Sequence, residues 1–361
     1  MVAVLALAPL TSALTQNADL ADQLRASVQS HVDTMGTIGL SIALVLDDQL
    51  VWSEGFGFAD LESGARATGS TIYRIGSVSK PVVGTALMQL YEQGRVDLDA
   101  DIRTYIPQWP QKPWTITVRH LLTHSSGIRH YRGDEFQSAT HYDDLVTPMD
   151  TFKDDDLLFE PGTQYSYSTY AFNLVANIVE NVGGMPIEEY MRAYVYGPAW
   201  MSRTGLEDWS AIQPGRARWY ERDRQRRPYN SPYADLSNKY AGGGITSTVE
   251  DLARLHIAYQ RGRLLRPETI ELMYTPQTLA DGTSRYGLSW RVQQVEMPDG
   301  STARLISHSG GSVGARTLFW RFPDLGLALA AVTNDSANHA RIFQGVIEIL
   351  YDAGVVGGGG S

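Results

Sequence analysis

The chain has 361 residues, of which 43% are hydrophobic and 19% charged, with 30 Lys and Arg against 40 Asp and Glu. That is the composition of a globular protein with ample apolar surface for a core, and its net charge of −10 offers no basic face for neutralising nucleic-acid phosphates. The absence of cysteine excludes disulfides, thiolate nucleophiles and Cys-based zinc or iron–sulfur sites, and leaves the compartment open.

Val2–Ala13 is an apolar run ending in small residues, with no Lys or Arg before it. Residues 1–17 read either as a signal-peptide remnant, implying a bacterial periplasmic or secreted protein, or as a frayed segment of a cytoplasmic one. Asp19–Met35 spaces Leu20, Leu24, Val28 and Val32 by four, a helix pattern. Ile38–Leu46 and Leu50–Phe58 flank Asp47-Asp48 as a hairpin, and Gly55 and Gly57 permit close approach or a bend in its second strand. A short strand at Ile72–Ile75 leads into Gly76-Ser77-Val78-Ser79-Lys80-Pro81 and a helix over Val82–Gln93. Thr117–Leu122 is a short helix, residues 133–159 are acidic and irregular, and Pro161-Gly162 turns. Helices follow at Tyr170–Val182, ended by Gly183-Gly184, and at Ile187–Val195. Glu221–Arg227 interleaves acids with its arginines and reads as a solvated loop. Ser247-x-x-Glu250 is a capping box for a helix to Tyr259, and Pro267–Tyr274 is another. Strands are predicted at Tyr286–Val295, Ala303–Ser307, Thr317–Phe322 and Leu327–Thr333, the last two joined by the turn 323–326. Ala340–Tyr351 is a helix, and Gly357–Ser361 reads as an engineered flexible linker. Strands thus gather at both ends and helices in the middle. The expected fold is α+β: one antiparallel sheet built from both termini, flanked by terminal helices, with an inserted helical lobe. A site is expected between the lobes.

Ser77-x-x-Lys80 at a helix start puts a hydroxyl and an amine on one face, with the positive end of the helix beside any oxyanion formed there. A serine hydroxyl needs a base, and Lys80 serves only if burial or nearby positive charge lowers its pKa. Such a site also needs a phenol to share the proton and backbone N–H donors facing the oxyanion.

Several stretches supply these parts and carry a resemblance. Gly76–Lys80 resembles the first motif of the serine β-lactamase and penicillin-binding-protein superfamily, class C-like and of the peptidase S12 type. Leu121–Ile128, Pro161–Thr169, Pro198–Thr204, Gly242–Thr248 with Asp251-Leu252, and His308-Ser309-Gly310-Gly311 resemble its further motifs, in order over residues 20–351. Ser126–Tyr131, Tyr165–Thr169 and Tyr240–Gly244 are similar to the mitochondrial serine β-lactamase-like branch and its bacterial relatives, whose peptidase-like character implies acyl-enzyme hydrolysis of a peptide, amide or ester. The resemblance implies a single catalytic domain over about 18–353, with a helical lobe at about 77–240 and no cofactor. It implies Ser77 as nucleophile, Lys80 as its activating partner and Tyr167 as the second-motif tyrosine, six residues after Pro161, with Tyr165 an apolar ring beside it. Which of Lys80 and Tyr167 is the base stays open. The N–H groups of Ser77 and Gly311 would form the oxyanion hole, and Thr169, His308, Ser309, Gly310 and Arg316 would contact substrate.

Two departures bear on that substrate. Thr169 stands where many members have Asn, and its single hydroxyl replaces a carboxamide that donates and accepts. His308 replaces the usual Lys and is largely neutral at pH 7, so a carboxylate anchor falls to Arg316 unless that residue is merely a surface cation. The competing readings are a true β-lactamase or D,D-carboxypeptidase, and a non-catalytic scaffold or penicillin sensor. His120 and His124 have zinc-ligand spacing but no Glu between them, and Ala241–Gly244 lacks the Gly-Lys-Ser ending of a phosphate loop; no metal site is expected. Trp109, Trp114, Trp200, Trp209 and Trp219 are expected to be packing aromatics. The expected partners are a small-molecule or peptide substrate, no nucleic acid and no membrane span, with an oligomer possible.

Overall fold

The computed structural model describes residues 18–356 except 281, 284, 285 and 338, so the apolar run and the glycine tail lie outside the described residues. The elements are α1 (Ala18–Met35), β1 (Gly39–Leu46), β2 (Gln49–Asp60), β3 (Ala65–Arg66), β4 (Tyr73–Arg74), α2 (Ser79–Glu92), α3 (Val118–Leu122), α4 (Tyr170–Gly183), α5 (Ile187–Met191), α6 (Gly197–Ala199), β5 (Gly205–Leu206), β6 (Tyr220–Arg222), β7 (Pro228–Asn230), α7 (Tyr240–Gly243), β8 (Ile245–Ser247), α8 (Val249–Gln260), α9 (Pro267–Met273), β9 (Thr278–Leu279), β10 (Gly282–Thr283), β11 (Arg291–Glu296), β12 (Thr302–Ser312), β13 (Ala315–Phe322), β14 (Leu327–Thr333) and α10 (Ala340–Asp352).

Seven strands form one antiparallel sheet in the order β11-β12-β13-β14-β1-β2-β3, so the N-terminal hairpin pairs with the C-terminal strands through β1 and β14. Strand alternation explains the layers on either side. Leu40, Ile42 and Leu44 of β1, with Leu327 and Leu329 of β14, share one core with Leu20, Leu24, Val28 and Val32 of α1 and Phe343 and Val346 of α10. Ala43, Val45, Ala328, Ala330 and Val332 face the other way, into the core of α2, α4 and α8. Both faces are covered, which is why β1 and β14 read as continuous apolar runs rather than alternating ones. The expected fold class is the observed one.

Some boundaries differ from the sequence reading. The capping residue of α8 is Thr248, whose hydroxyl accepts from Asp251 N at 3.0 Å. Asp251 in turn accepts from Arg203 N and Thr204 Oγ1, so the predicted Ser247–Glu250 box is one residue early and not reciprocal. The strand expected from Tyr286 begins only at Arg291, because the chain folds onto the end of α9. A Cβ on Gly287 would lie 2.2 Å from the Met273 carbonyl oxygen, and Ser289 takes φ +71°. β12 instead runs five residues further than predicted, through His308–Ser312, paired with β13. Glycines hid it: they carry no β-propensity, yet their backbones continue the ladder. The basic stretch forms the hairpin of β6 and β7, with Arg222 ion-paired to the buried Asp335 at 3.5 Å. Of the tryptophans, Trp109 is buried, whereas Trp114, Trp200 and Trp209 are exposed, Trp200 to 64%.

Candidate active site

Ser77 lies in a 3-10 turn, Gly76–Val78, between β4 and α2. Gly76 takes φ +51°, and a Cβ there would lie 2.7 Å from the backbone of Gly311. Gly310 is closer still to the turn, since its Cβ would meet the Ile75 carbonyl oxygen at 2.0 Å and Ser77 N at 3.2 Å. Two glycines therefore let β12 press directly on the Ser77 turn. Ser79 fixes the turn from behind, donating to Gly76 O at 2.7 Å and accepting from Ile245 N of β8 at 3.2 Å.

Lys80 is wholly buried. Its Nζ contacts Ser77 Oγ at 3.1 Å, Thr169 Oγ1 at 3.1 Å and the Gly242 carbonyl at 2.5 Å. None of these partners is a carboxylate. Burial first, and the charge of Arg291 second, hold its pKa well below the ordinary lysine value. The Tyr167 ring lies 4.7 Å below Nζ, and its phenol interacts with the Ser77 side chain. Burial raises the Tyr167 pKa above the ordinary phenol value, so the hydroxyl stays protonated. Tyr165 is more exposed and packs edge-on to His124.

Ser77, Lys80, Tyr167 and Thr169 are thus gathered at one point, with Gly310 and Gly311 alongside. His308 is different. Its ring is buried, with Nδ1 donating to Ser309 O at 2.7 Å and Nε2 accepting from Tyr286 OH at 2.9 Å. Burial above all lowers its pKa to about 3, so the ring is neutral and turned inward. Arg316 pairs across the ladder with Gly311 and donates to the Ser312 and Ala315 carbonyls. It helps line a cavity of about 310 Å³ with Ser309, Gly310, Gly311, Thr317 and His339. His120 and His124 do not share a helix face, because α3 ends at Leu122 and the two rings bond separately to Thr117 N and Ser168 N. Among the described residues no group of three His, Asp or Glu could hold a metal ion.

Sequence reasoning placed Gly76 and Gly242 in motifs without their backbone roles, and missed Arg291 and the histidines and tyrosines behind the site. His124, His130 and Tyr131 stand inside stretches that carry the resemblance, so their position was visible though not their contacts. Tyr286 had no local signal, because its partner His308 is 22 residues away.

A buried amine against a serine hydroxyl, beside the glycine-bearing end of β12 on this fold, defines a serine hydrolase of amide or ester bonds. The sequence profile named Beta-lactamase matches residues 24–346, and the chain belongs to that family. The human mitochondrial serine beta-lactamase-like protein LACTB is 29% identical over 383 aligned positions, covering 81% of this chain and 70% of its own length. D-amino acid amidase from Ochrobactrum anthropi, solved with L-phenylalanine amide, superposes with a TM-score of 0.80 at 24% identity, over 93% of this chain and 99% of that one. The octameric penicillin-binding protein homologue from Pyrococcus abyssi gives 0.78 at 24% identity, over 92% and 77%. The resemblance drawn from the motifs is borne out at the level of family and fold. No helix among the described residues is long and apolar enough to cross a membrane.

Proposed function

We propose that this hydrolase cleaves peptide, amide or ester bonds through an acyl-enzyme on Ser77, with Lys80 as the base. The observation that carries this is the burial of the Lys80 amine against Ser77 Oγ with no carboxylate among the described residues to keep it charged. A neutral amine has two N–H groups and one lone pair. The Gly242 carbonyl takes one N–H, Thr169 Oγ1 can take the other, and the lone pair is left for the Ser77 proton. Ser77 Oγ then bonds to the substrate carbonyl carbon as its proton passes to Lys80. The carbonyl oxygen becomes an oxyanion served by the N–H groups of Ser77 and Gly311. The Tyr167 phenol gives its proton to the departing amine or alkoxide and is reprotonated from Lys80. Water, giving a proton to Lys80 in the same way, hydrolyses the ester and restores Ser77.

The substrate we infer is a neutral amide or ester rather than a β-lactam, because Thr169 lacks a carboxamide and neutral His308 gives no cation to a carboxylate. The name of the amidase points the same way. One observation favours the second reading, a β-lactamase or D,D-carboxypeptidase: Arg316 faces the cavity beside Gly311 with only backbone carbonyls as hydrogen-bond partners among the described residues, and could anchor a carboxylate. Labelling with a fluorophosphonate and with a fluorescent penicillin, wild type against Ser77→Ala, tests both. The first reagent alone should label, and only with Ser77 present. Rapid labelling by penicillin supports the second reading, and labelling by neither leaves a non-catalytic scaffold.

A further inference from the structure

His124 breaks two rules of stability at once. It is a non-glycine residue at φ +57°, a conformation that L side chains adopt at a cost. It is also wholly buried, and its ring Nδ1 accepts from Ser168 N at 3.1 Å, which places the imidazole proton on Nε2. That N–H is buried without a hydrogen-bond partner among the described residues, again at a cost. Strain of this kind concentrates where function requires a geometry.

The contacts show which geometry. The His124 carbonyl oxygen accepts from Ser166 N at 2.8 Å, while its ring nitrogen accepts from Ser168 N. The amides on either side of Tyr167 therefore both end on one residue. Its imidazole also lies against the Tyr167 ring, with centroids 4.2 Å apart and planes at 38°, and is backed by Tyr286 at 4.7 Å and Phe172 at 5.3 Å. His130 extends the same arrangement: its Nδ1 accepts from Thr169 N at 3.3 Å, and its ring meets Tyr167 edge-on. The left-handed backbone at residue 124, two residues past the end of α3, accompanies this arrangement, with the ring toward Ser168 and the carbonyl toward Ser166.

We propose that His124 is a positioning residue that fixes the phenol of Tyr167 over Ser77 and Lys80 through the two amides flanking that tyrosine and through ring contact. This rests on the reading of Tyr167 as the proton carrier. Burial keeps the His124 ring neutral, which preserves the lone pair that Ser168 N requires.

The test is steady-state hydrolysis of a chromogenic ester, with the rate of fluorophosphonate inactivation, in His124→Phe, His124→Gly, His124→Asn, Tyr167→Phe and the double variant His124→Phe/Tyr167→Phe. Phe keeps a ring but loses the acceptor; Gly removes the ring and relieves the strained φ, so it folds even if Phe does not. Each should lower kcat by about 10- to 100-fold, the scale of a misplaced catalytic group, with KM changed by less than about threefold. Asn tolerates φ > 0 and returns an acceptor near Nδ1, so it should recover most of kcat. The double variant should be no slower than Tyr167→Phe alone, since residues acting through one another are not additive. Wild-type kcat in both Phe and Gly variants, or losses that multiply in the double variant, would overturn the proposal while leaving Tyr167 its role. Wild-type kcat in Tyr167→Phe overturns the reading of the site itself.

Discussion

Gly242→Ala sets two effects against each other at a residue whose side chain is a single hydrogen. Gly242 lies in the helical turn α7, where Ala is intrinsically favoured over Gly by about 1 kcal/mol. Against this, the new Cβ would lie 2.3 Å from Thr169 Cγ2 and 2.7 Å from the Thr169 carbonyl oxygen. Carbon atoms in contact sit about 3.5–4.0 Å apart, so roughly 1 Å must open between α7 and the start of α4. Overpacking of that kind costs about 1–3 kcal/mol, and the propensity gain offsets part of it, so the net loss of stability should be small. The effect on rate should be larger. The Gly242 carbonyl and the Thr169 hydroxyl are two of the three partners of the Lys80 amine, and both sit on the backbone that must move. A misplacement of about 1 Å in a catalytic array costs about 100-fold. Hydrolysis of a chromogenic ester should therefore fall by about two orders of magnitude, about 2.7 kcal/mol in barrier, while the melting temperature moves by only a few degrees. An unchanged kcat/KM with the same melting curve would show that Lys80 does not depend on these two acceptors. A collapse of the fold would show that packing, not amine placement, is what Gly242 serves.

The buried amine also fixes a pH dependence. Lys80 has its folded pKa lowered, so it is neutral and able to act as base above that pKa, and activity is lost as pH falls through it. The profile of kcat/KM should decline on its acid side; a profile that stays flat down to acid unfolding counts against Lys80 as base. Arg291→Gln removes the second cause of the depression, so the acid limb should move to higher pH, modestly because Arg291 is solvent-exposed and screened. A third prediction concerns the frame. Arg74 donates to Glu207 at 2.7 Å, with both side chains 4% exposed. Removing one partner of a buried pair strands the other, so Arg74→Met should cost about 3–5 kcal/mol in urea unfolding, and Arg74→Met/Glu207→Leu should recover much of it. Equal losses in the two variants would mean that the Arg74 bonds to the Val313 and Ala234 carbonyls, not the ion pair, dominate.

Elements with a local period were legible in the sequence. The four-residue spacing of Leu20 to Val32, the Asp47-Asp48 turn and the Gly183-Gly184 stop all have causes within a few residues. So did the Ser77–Lys80 pair, which a helix start brings together without help from elsewhere. What escaped depends on distant backbone. The extension of β12 through Gly310 and Gly311 is set by pairing with β13 and by pressure from Ile75, neither of which a propensity can register. The late start of β11 is likewise imposed by the end of α9. His308 shows the same limit in chemistry: its place in the motif suggested a substrate contact, but Tyr286 and the Ser309 carbonyl occupy both ring nitrogens. Motif order revealed which residues meet, and only packing revealed which way they face.

The pairing of β1 with β14 also has a consequence for how the chain is made. Once Leu46 has been translated the strand β1 exists, but its inner neighbour in the sheet is complete only at Thr333. A ribosome adding about 5–20 residues per second leaves the free edge of the β1–β2 hairpin uncovered for tens of seconds, while everything between, including the serine turn, emerges. Contacts of such long sequence separation close slowly. Ser77 is therefore translated early but framed late, because the strand that presses against its turn, β12, begins more than 220 residues after it.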